Sequence, residues 1–281
     1  MMPFPNQQNF TRQPAVAGLF YPGDPSDLRA LLWRLLEAAR GPSDLRPVAL
    51  IVPHAGYVYS GAVAAAAFAA IAPCAAEIER VVLIGPAHTV AFDGIAAPRA
   101  RAFATPLGEV PLDVAGISAL VDEGLLIIDA AAHAREHALE VEVPFLQLVL
   151  KDFVLLPLVV GSARPEAVSE ILLRLWDART LVVVSSDLSH YLDYETARRR
   201  DAKTAAAIER LDDAAIGPED ACGFIGLRGL LGAVRRRGLR AHRLELCNSA
   251  DTAGDRHRVV GYGAWAIVPP HHNGASAQPV G

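Results

Sequence analysis

Five runs of apolar, largely β-branched residues, at 48–52, 81–84, 154–160, 181–185 and 259–268, most constrain what this chain can fold into. They lack the apolar/polar alternation of a half-exposed strand, so each predicts a strand buried on both faces, as in a sheet covered by helices. Segments of helical periodicity separate them, at 27–39, 60–71, 113–121, 138–151, 165–176, 194–211 and 221–236. The alternation predicts an α/β fold: a single domain with a mixed, largely parallel central sheet flanked by helices. No repeat or low-complexity linker divides the chain, so residues 1–269 are expected to form that domain and 270–281 a flexible C-terminal tail.

With 281 residues and 52% hydrophobic content, there is ample material for a sizeable core. The net charge of -5 argues against a nucleic-acid partner or an anionic membrane surface. The triplets Arg198-Arg199-Arg200 and Arg235-Arg236-Arg237 read as solvated helix faces. Three cysteines, Cys74, Cys222 and Cys247, lie far apart with no CxxC, which excludes a disulfide framework and fits a reducing cytoplasm. Residues 1–12 are polar and lack the apolar run of a secretory signal. The uncharged stretch 59–76 is mostly alanine, so a buried helix rather than a membrane span is expected there. The leucine-rich run 141–160 is broken by Lys151-Asp152, and no membrane association is expected.

Histidines close two of the strands. His54 stands in Pro53-His54-Ala55-Gly56-Tyr57 and His88 in Gly85-Pro86-Ala87-His88. Ligands of open α/β sheets gather outside the carboxyl ends of strands, and two imidazoles delivered there from neighbouring strands are half of a metal site. A third strand ends in Ser185-Ser186-Asp187-Leu188-Ser189-His190-Tyr191. Asp187 is a candidate ligand, a partner fixing a histidine tautomer, or an N-cap, and His190 a candidate general acid/base. In Arg135-Glu136-His137-Ala138-Leu139-Glu140 the spacing places His137 and Glu140 on one helical face, for a metal, a proton relay or a solvated first turn. Cys222, at the start of an apolar helical segment, is either a core residue or a thiolate favoured by the helix N-terminus and soft enough for copper, iron or zinc. Cys74 and Cys247 read as packing residues. The stretch Gly261-Tyr262-Gly263-Ala264-Trp265-Ala266 matches a GxGxxA fingerprint superficially, but it lies in a terminal strand with no helix behind it. No nucleotide cofactor is expected.

Taken together, Gln13-Pro14-Ala15-Val16-Ala17-Gly18-Leu19-Phe20-Tyr21-Pro22, the two histidine motifs, Glu136-His137-Ala138-Leu139-Glu140, Ser185-Ser186-Asp187-Leu188-Ser189-His190, Cys222-Gly223 and Gly261-Tyr262-Gly263 resemble the Memo family. Its prokaryotic members are called AmmeMemoRadiSam system protein B. The resemblance implies a fold similar to the class III extradiol dioxygenases, non-haem iron enzymes whose metal is held by two histidines and a carboxylate. It assigns His54 and His88 to the histidines and replaces the carboxylate with Cys222, and it places His190, Asp187 and His137 around the cavity as catalytic candidates. A thiolate in that position shifts the site towards copper or a differently tuned iron. The expectation is a cytoplasmic, bacterial metal-binding redox protein holding one iron or copper ion. The alternatives are a working extradiol dioxygenase, with Asp187 or Glu140 as the anionic ligand, and a non-catalytic binding module with a vestigial pocket. The expected partners are an unknown small molecule or peptide, and the radical-SAM and AMMECR1-domain proteins encoded beside prokaryotic relatives.

Overall fold

The computed structural model describes residues 10–39 and 45–270, so the tail expected at 270–281 lies, apart from Pro270, outside the described residues. In chain order the strands are β1 (Thr11–Arg12), β2 (Ala49–Val52), β3 (Arg80–Pro86), β4 (Ile95–Ala97), β5 (Ala102–Thr105), β6 (Gly108–Pro111), β7 (Ile127–Ile128), β8 (Val154–Val160), β9 (Thr180–Ser185), β10 (His190–Leu192), β11 (Arg240–Asn248) and β12 (Val259–Val268). The α-helices are α1 (Pro25–Ala38), α2 (Tyr57–Ala70), α3 (Val114–Asp122), α4 (Ala130–Ala134), α5 (Val143–Val149), α6 (Pro165–Leu175), α7 (Tyr194–Glu209) and α8 (Phe224–Arg236). Every apolar run of the sequence is a strand of one nine-stranded mixed sheet, ordered β10-β12-β2-β9-β3-β8-β4-β7 with β11 on β12. Its centre is parallel: β2 pairs with β9, β9 with β3, and β3 with β8. Burial explains the pattern, since β9 is buried at every position and β3 and β8 at all but their first.

The two histidine-bearing strands are not adjacent, as the sequence reading had them. β9 lies between β2 and β3, so three parallel strands end side by side and deliver His54, the 185–190 turn and His88 to the same edge. Helix α2 packs on β2, β11 and β12, with α1 and α5 against it. Its alanines Ala64, Ala65 and Ala67 are buried, and their small side chains let the helix approach the sheet closely. Helices α6 and α8 pack on each other, and α8 lies on β3 and β9. Arg235, Arg236 and Arg237, and likewise Arg198 and Arg199, are exposed as expected. Among the described residues no helix is long and apolar enough to cross a membrane.

The helix expected over 138–151 is shorter. A 3-10 turn at Glu140–Glu142 leads into α5, and His137 precedes both. The reason is local competition: the Glu136 carboxylate accepts the backbone N–H groups of His137 and Ala138, at 2.9 Å each, and so replaces the start of a helix. His137 and Glu140 therefore do not share a helical face. A second small sheet, β1-β5-β6, was not legible because its strands are only two to four residues long. Strand β11 was missed because its burial pattern is irregular and its pairing with β12 shifts register between Arg243 and Glu245.

Next to this small sheet, His133 in α4 is buried, and its Nε2–H donates to the Ala96 carbonyl at 2.9 Å. Burial pushes its pKa down to about 4. The unfolded imidazole titrates near ~6.5, so the folded state resists protonation; the contribution is complete above that pH and is lost as pH falls towards about 4. At ~1.4 kcal/mol per pH unit the loss amounts to about 3 kcal/mol. Urea unfolding should show a steep acid loss in the wild-type chain and a shallower one in His133→Gln, which keeps a donor for Ala96 without titrating. Equal acid loss in both chains would refute this.

Candidate metal centre

The chain leaves β2 through Pro53 and turns sharply, so His54 sits at the sheet edge with 2% of its surface exposed. Its backbone N–H donates to Asp187 Oδ1 at 2.8 Å, its Nδ1 lies 2.8 Å from Ser185 Oγ, and its Nε2 lies 3.3 Å from Cys222 Sγ. Burial, reinforced by repulsion from His88, His137 and His190, holds its pKa well below the usual imidazole range, so the ring is neutral. A neutral imidazole is the form that ligates metal.

His88 follows β3 and is an exposed residue, with its Nδ1 2.9 Å from Glu136 Oε1 and its backbone N–H donating to Glu136 Oε2 at 2.6 Å. A carboxylate can only accept, so Nδ1 carries the proton and Nε2 is free, the arrangement that orients metal-binding histidines. Burial tends to raise the Glu136 pKa, but the hydrogen bonds and charge of His88 and the backbone donors hold it at about 2. Sequence reasoning gave Glu136 no role, because nothing in its neighbourhood signals a partner 48 residues away.

Cys222 lies two residues before α8 rather than in its first turn. Its turn is docked against the end of β9: Gly223 N–H donates to Ser186 Oγ at 2.9 Å, and Cys222 N–H to the Asp187 carbonyl at 3.3 Å. A Cβ on Gly223 would come within 2.8 Å of Ser186 Cβ and 2.9 Å of the Ser185 carbonyl, so only glycine allows this approach. Without a metal, burial, with the nearby Asp187 carboxylate adding to it, pushes the Cys222 pKa up to about 12, against hydrogen bonds from its surroundings. A bound cation would have to displace the proton.

The ligating atoms of His54, His88 and Cys222 all lie within 4.8 Å of one another. On one ion, an imidazole nitrogen and a thiolate at ordinary bond lengths would stand roughly 3.5 Å apart, close to the observed His54–Cys222 separation. Two nitrogens and a sulfur make a donor set suited to zinc, copper or iron. His88, Glu136 and His137 form a second compact group. Glu136 is already committed there to the side chain of His88 and to the backbone N–H groups of His88, His137 and Ala138, which makes it an anchor.

The other expected residues surround this triad. His137 lies face to face with His88, ring centroids 4.6 Å apart, and edge-on to His54 at 5.5 Å, with Phe20 against it at 4.9 Å. Burial and then His88 depress its pKa. His190 opens β10, and its Nδ1–H donates to the Leu188 carbonyl at 2.8 Å, leaving Nε2 free; burial lowers its pKa, with a smaller contribution from His88. Tyr191 beside it has φ of 60° and is 63% exposed. Asp187 is not an N-cap. It is buried and holds the His54 backbone, and burial raises its pKa to about 7 against the hydrogen bond from His54. Glu140 lies outside the cavity: its carboxylate receives Arg12, the N–H groups of Ala15 and Val16, and the Tyr21 hydroxyl. Cys74 is buried and Cys247 partly buried, consistent with packing.

A family model described as "Memo-like protein" matches residues 12–266. A "MEMO1 family protein" of Methanopyrus kandleri is 35% identical over 277 residues, covering 90% of this chain and 97% of that one. Its counterpart in Aquifex aeolicus is 35% identical over 266 residues, covering 89% and 97%. Among solved structures, an uncharacterized Escherichia coli protein superposes with a TM-score of 0.52 at 14% identity, covering 79% of this chain and all of the other, a likeness of fold alone.

Proposed function

The chain belongs to the Memo-like protein family, and on that footing we propose that it holds one redox-active metal ion, iron or copper, through His54, His88 and Cys222. The observation that carries this reading is the convergence of two imidazoles and a thiol, their ligating atoms within 4.8 Å of one another, just beyond the ends of β2 and β3 and just before α8. When bound, such an ion would supply one-electron chemistry tuned by its thiolate ligand.

The protein's own residues prepare the site. Glu136 orients His88, Asp187 holds the backbone of His54, and the bare Nε2 of His190 is available to take or give a proton to a bound molecule. His190, Asp187 and His137 are the residues we propose to meet the substrate, a small molecule or peptide admitted on the side where His88 and His137 are partly exposed. The same reading assigns the reaction to a radical-SAM-associated system in the cytoplasm.

Extradiol ring cleavage is the weaker reading. Glu140 is turned to Arg12 and Tyr21, and Asp187 Oδ1 is engaged by the backbone N–H of His54, which favours the thiol as the anionic ligand.

Elemental analysis of protein purified anaerobically under reducing conditions should give about one ion per chain. His54→Ala and Cys222→Ala should each weaken metal binding by at least ~10–100-fold, the loss seen when even indirect supports of a ligand are removed. Unchanged stoichiometry in both variants would sink the assignment.

A further inference from the structure

Ser185 Oγ makes three close polar contacts: the Ala138 carbonyl at 2.7 Å, Glu142 Oε1 at 3.0 Å and His54 Nδ1 at 2.8 Å. A hydroxyl has one proton to donate and two lone pairs to accept with, so three contacts saturate it, and the direction of each can be worked out. The Ala138 carbonyl can only accept, and two oxygens at that distance without a proton between them would repel. The serine proton therefore points to Ala138. The other two contacts must then be donated to Ser185, one by His54 Nδ1–H and one by a protonated Glu142.

The surroundings of Glu142 agree. Glu142 is 1% exposed, and its Oε2 has no hydrogen-bond partner among the described residues. An ionised carboxylate with one oxygen buried and unpaired would be strongly unfavourable, whereas the neutral acid leaves only a bare carbonyl oxygen there. Burial holds the acid well above the usual carboxylate range, against the hydrogen bond to Ser185 and with the charge of Asp187 adding to the rise.

We propose that Ser185 and a protonated Glu142 are positioning residues that hold His54 as the Nδ1–H tautomer, so that its bare Nε2 faces Cys222. The inference rests on the metal-site reading for its purpose, although the tautomer itself is a property of the metal-free protein. Turning the ring to the opposite tautomer would require Ser185 to swing its proton towards His54, and the Ala138 carbonyl would lose its only side-chain donor among the described residues. A neutral Glu142 matters because an ionised one would compete with Ala138 for that same proton. Glu136 does the equivalent for His88 through a charged acceptor. The two histidines are thus oriented by opposite means, one by a carboxylate and the other by a hydroxyl whose lone pairs are filled.

The test uses the full chain, reduced and metal-free, labelled with 15N-histidine. His54 should show a protonated Nδ1 and a bare Nε2 in the wild type and in Glu142→Gln, whose amide still donates to Ser185. In Ser185→Ala, Nδ1 loses its acceptor, so the Nε2–H tautomer should appear and zinc or cobalt affinity should fall ~10–100-fold. Infrared difference spectra between wild type and Glu142→Gln at neutral pH should show a protonated carboxyl band that the variant lacks. An Nε2–H tautomer in the wild type, an ionised Glu142, or a Ser185→Ala chain with unchanged tautomer would each overturn the proposal, and the first two readouts need no destabilising variant. If the tautomer is as expected but His54→Ala and Cys222→Ala leave metal content unchanged, the metal reading fails while this hydrogen-bond chain stands.

Discussion

Arg12→Met should lower the unfolding free energy by about 3–5 kcal/mol, the cost of breaking a buried ion pair by removing one partner. Arg12 is 3% exposed and Glu140 1%, and the arginine fork has three acceptors: Glu140 Oε2, the His133 carbonyl at 3.0 Å and the Glu136 carbonyl at 2.6 Å. Its guanidinium also lies over the Phe103 ring, 4.9 Å from the centroid. Glu140 in turn accepts the N–H groups of Ala15 and Val16 and the Tyr21 hydroxyl. The pair thus fastens the 11–21 segment across the stretch that carries Glu136 and His137, and it sets Phe20 against His137. Arg12→Lys keeps the charge but not the planar fork, and should recover only part of the loss. The double variant Arg12→Met with Glu140→Leu should not be rescued, because removing Glu140 strands three more donors. Denaturant unfolding measures all three chains; an Arg12→Met chain within about 1 kcal/mol of wild type would show that the pair contributes little.

Gly261→Ala should cost about 3 kcal/mol or more and loosen the turn that carries Asp187 and His190, combining overpacking with a broken hydrogen bond to a carboxylate. Gly261 is buried in β12, where its N–H donates to the Ser189 carbonyl and its own carbonyl accepts Leu188 N–H, both at 2.8 Å. A Cβ added there would overlap the Asp201 carboxylate, whose Oδ1 accepts Ser189 N–H at 3.0 Å. Either Asp201 moves and releases Ser189, or β12 moves and releases the whole turn. Asp201→Ala makes room for the new methyl, so the double variant should be more stable than the sum of the single losses predicts. Strict additivity, or a Gly261→Ala chain with the wild-type unfolding midpoint, would contradict this account.

The glycine-rich stretch shows why some residues were legible and others were not. From sequence, Gly261-Tyr262-Gly263 reads as strand rather than nucleotide loop, because no helix pattern follows it, and both glycines lie within β12. The positive reason for Gly261 is a carboxylate on α7 60 residues earlier in the chain, and no local pattern announces that. His54 and His88 were legible because a strand end is a local feature and their placement follows from it. Glu140 was misplaced by the same local logic, since spacing describes a helical face only where a helix forms. Here the Glu136 side chain satisfies the N–H groups a helix would have used, and the 3-10 turn begins only at Glu140.

By itself, then, the sequence determined the α/β class, the five main strands and the strand-end histidines, because apolar runs, periodicity and strand-end motifs act over a few neighbouring residues; Cys222 as a ligand came from the family resemblance. Tertiary structure alone decided that β9 lies between the histidine strands, that burial raises the Cys222 pKa, and that Glu136 and Ser185 meet the imidazoles. Those outcomes depend on which groups lose water together and which donor meets which acceptor across 48 to 131 residues of chain, and only the packed sheet brings them within hydrogen-bonding distance.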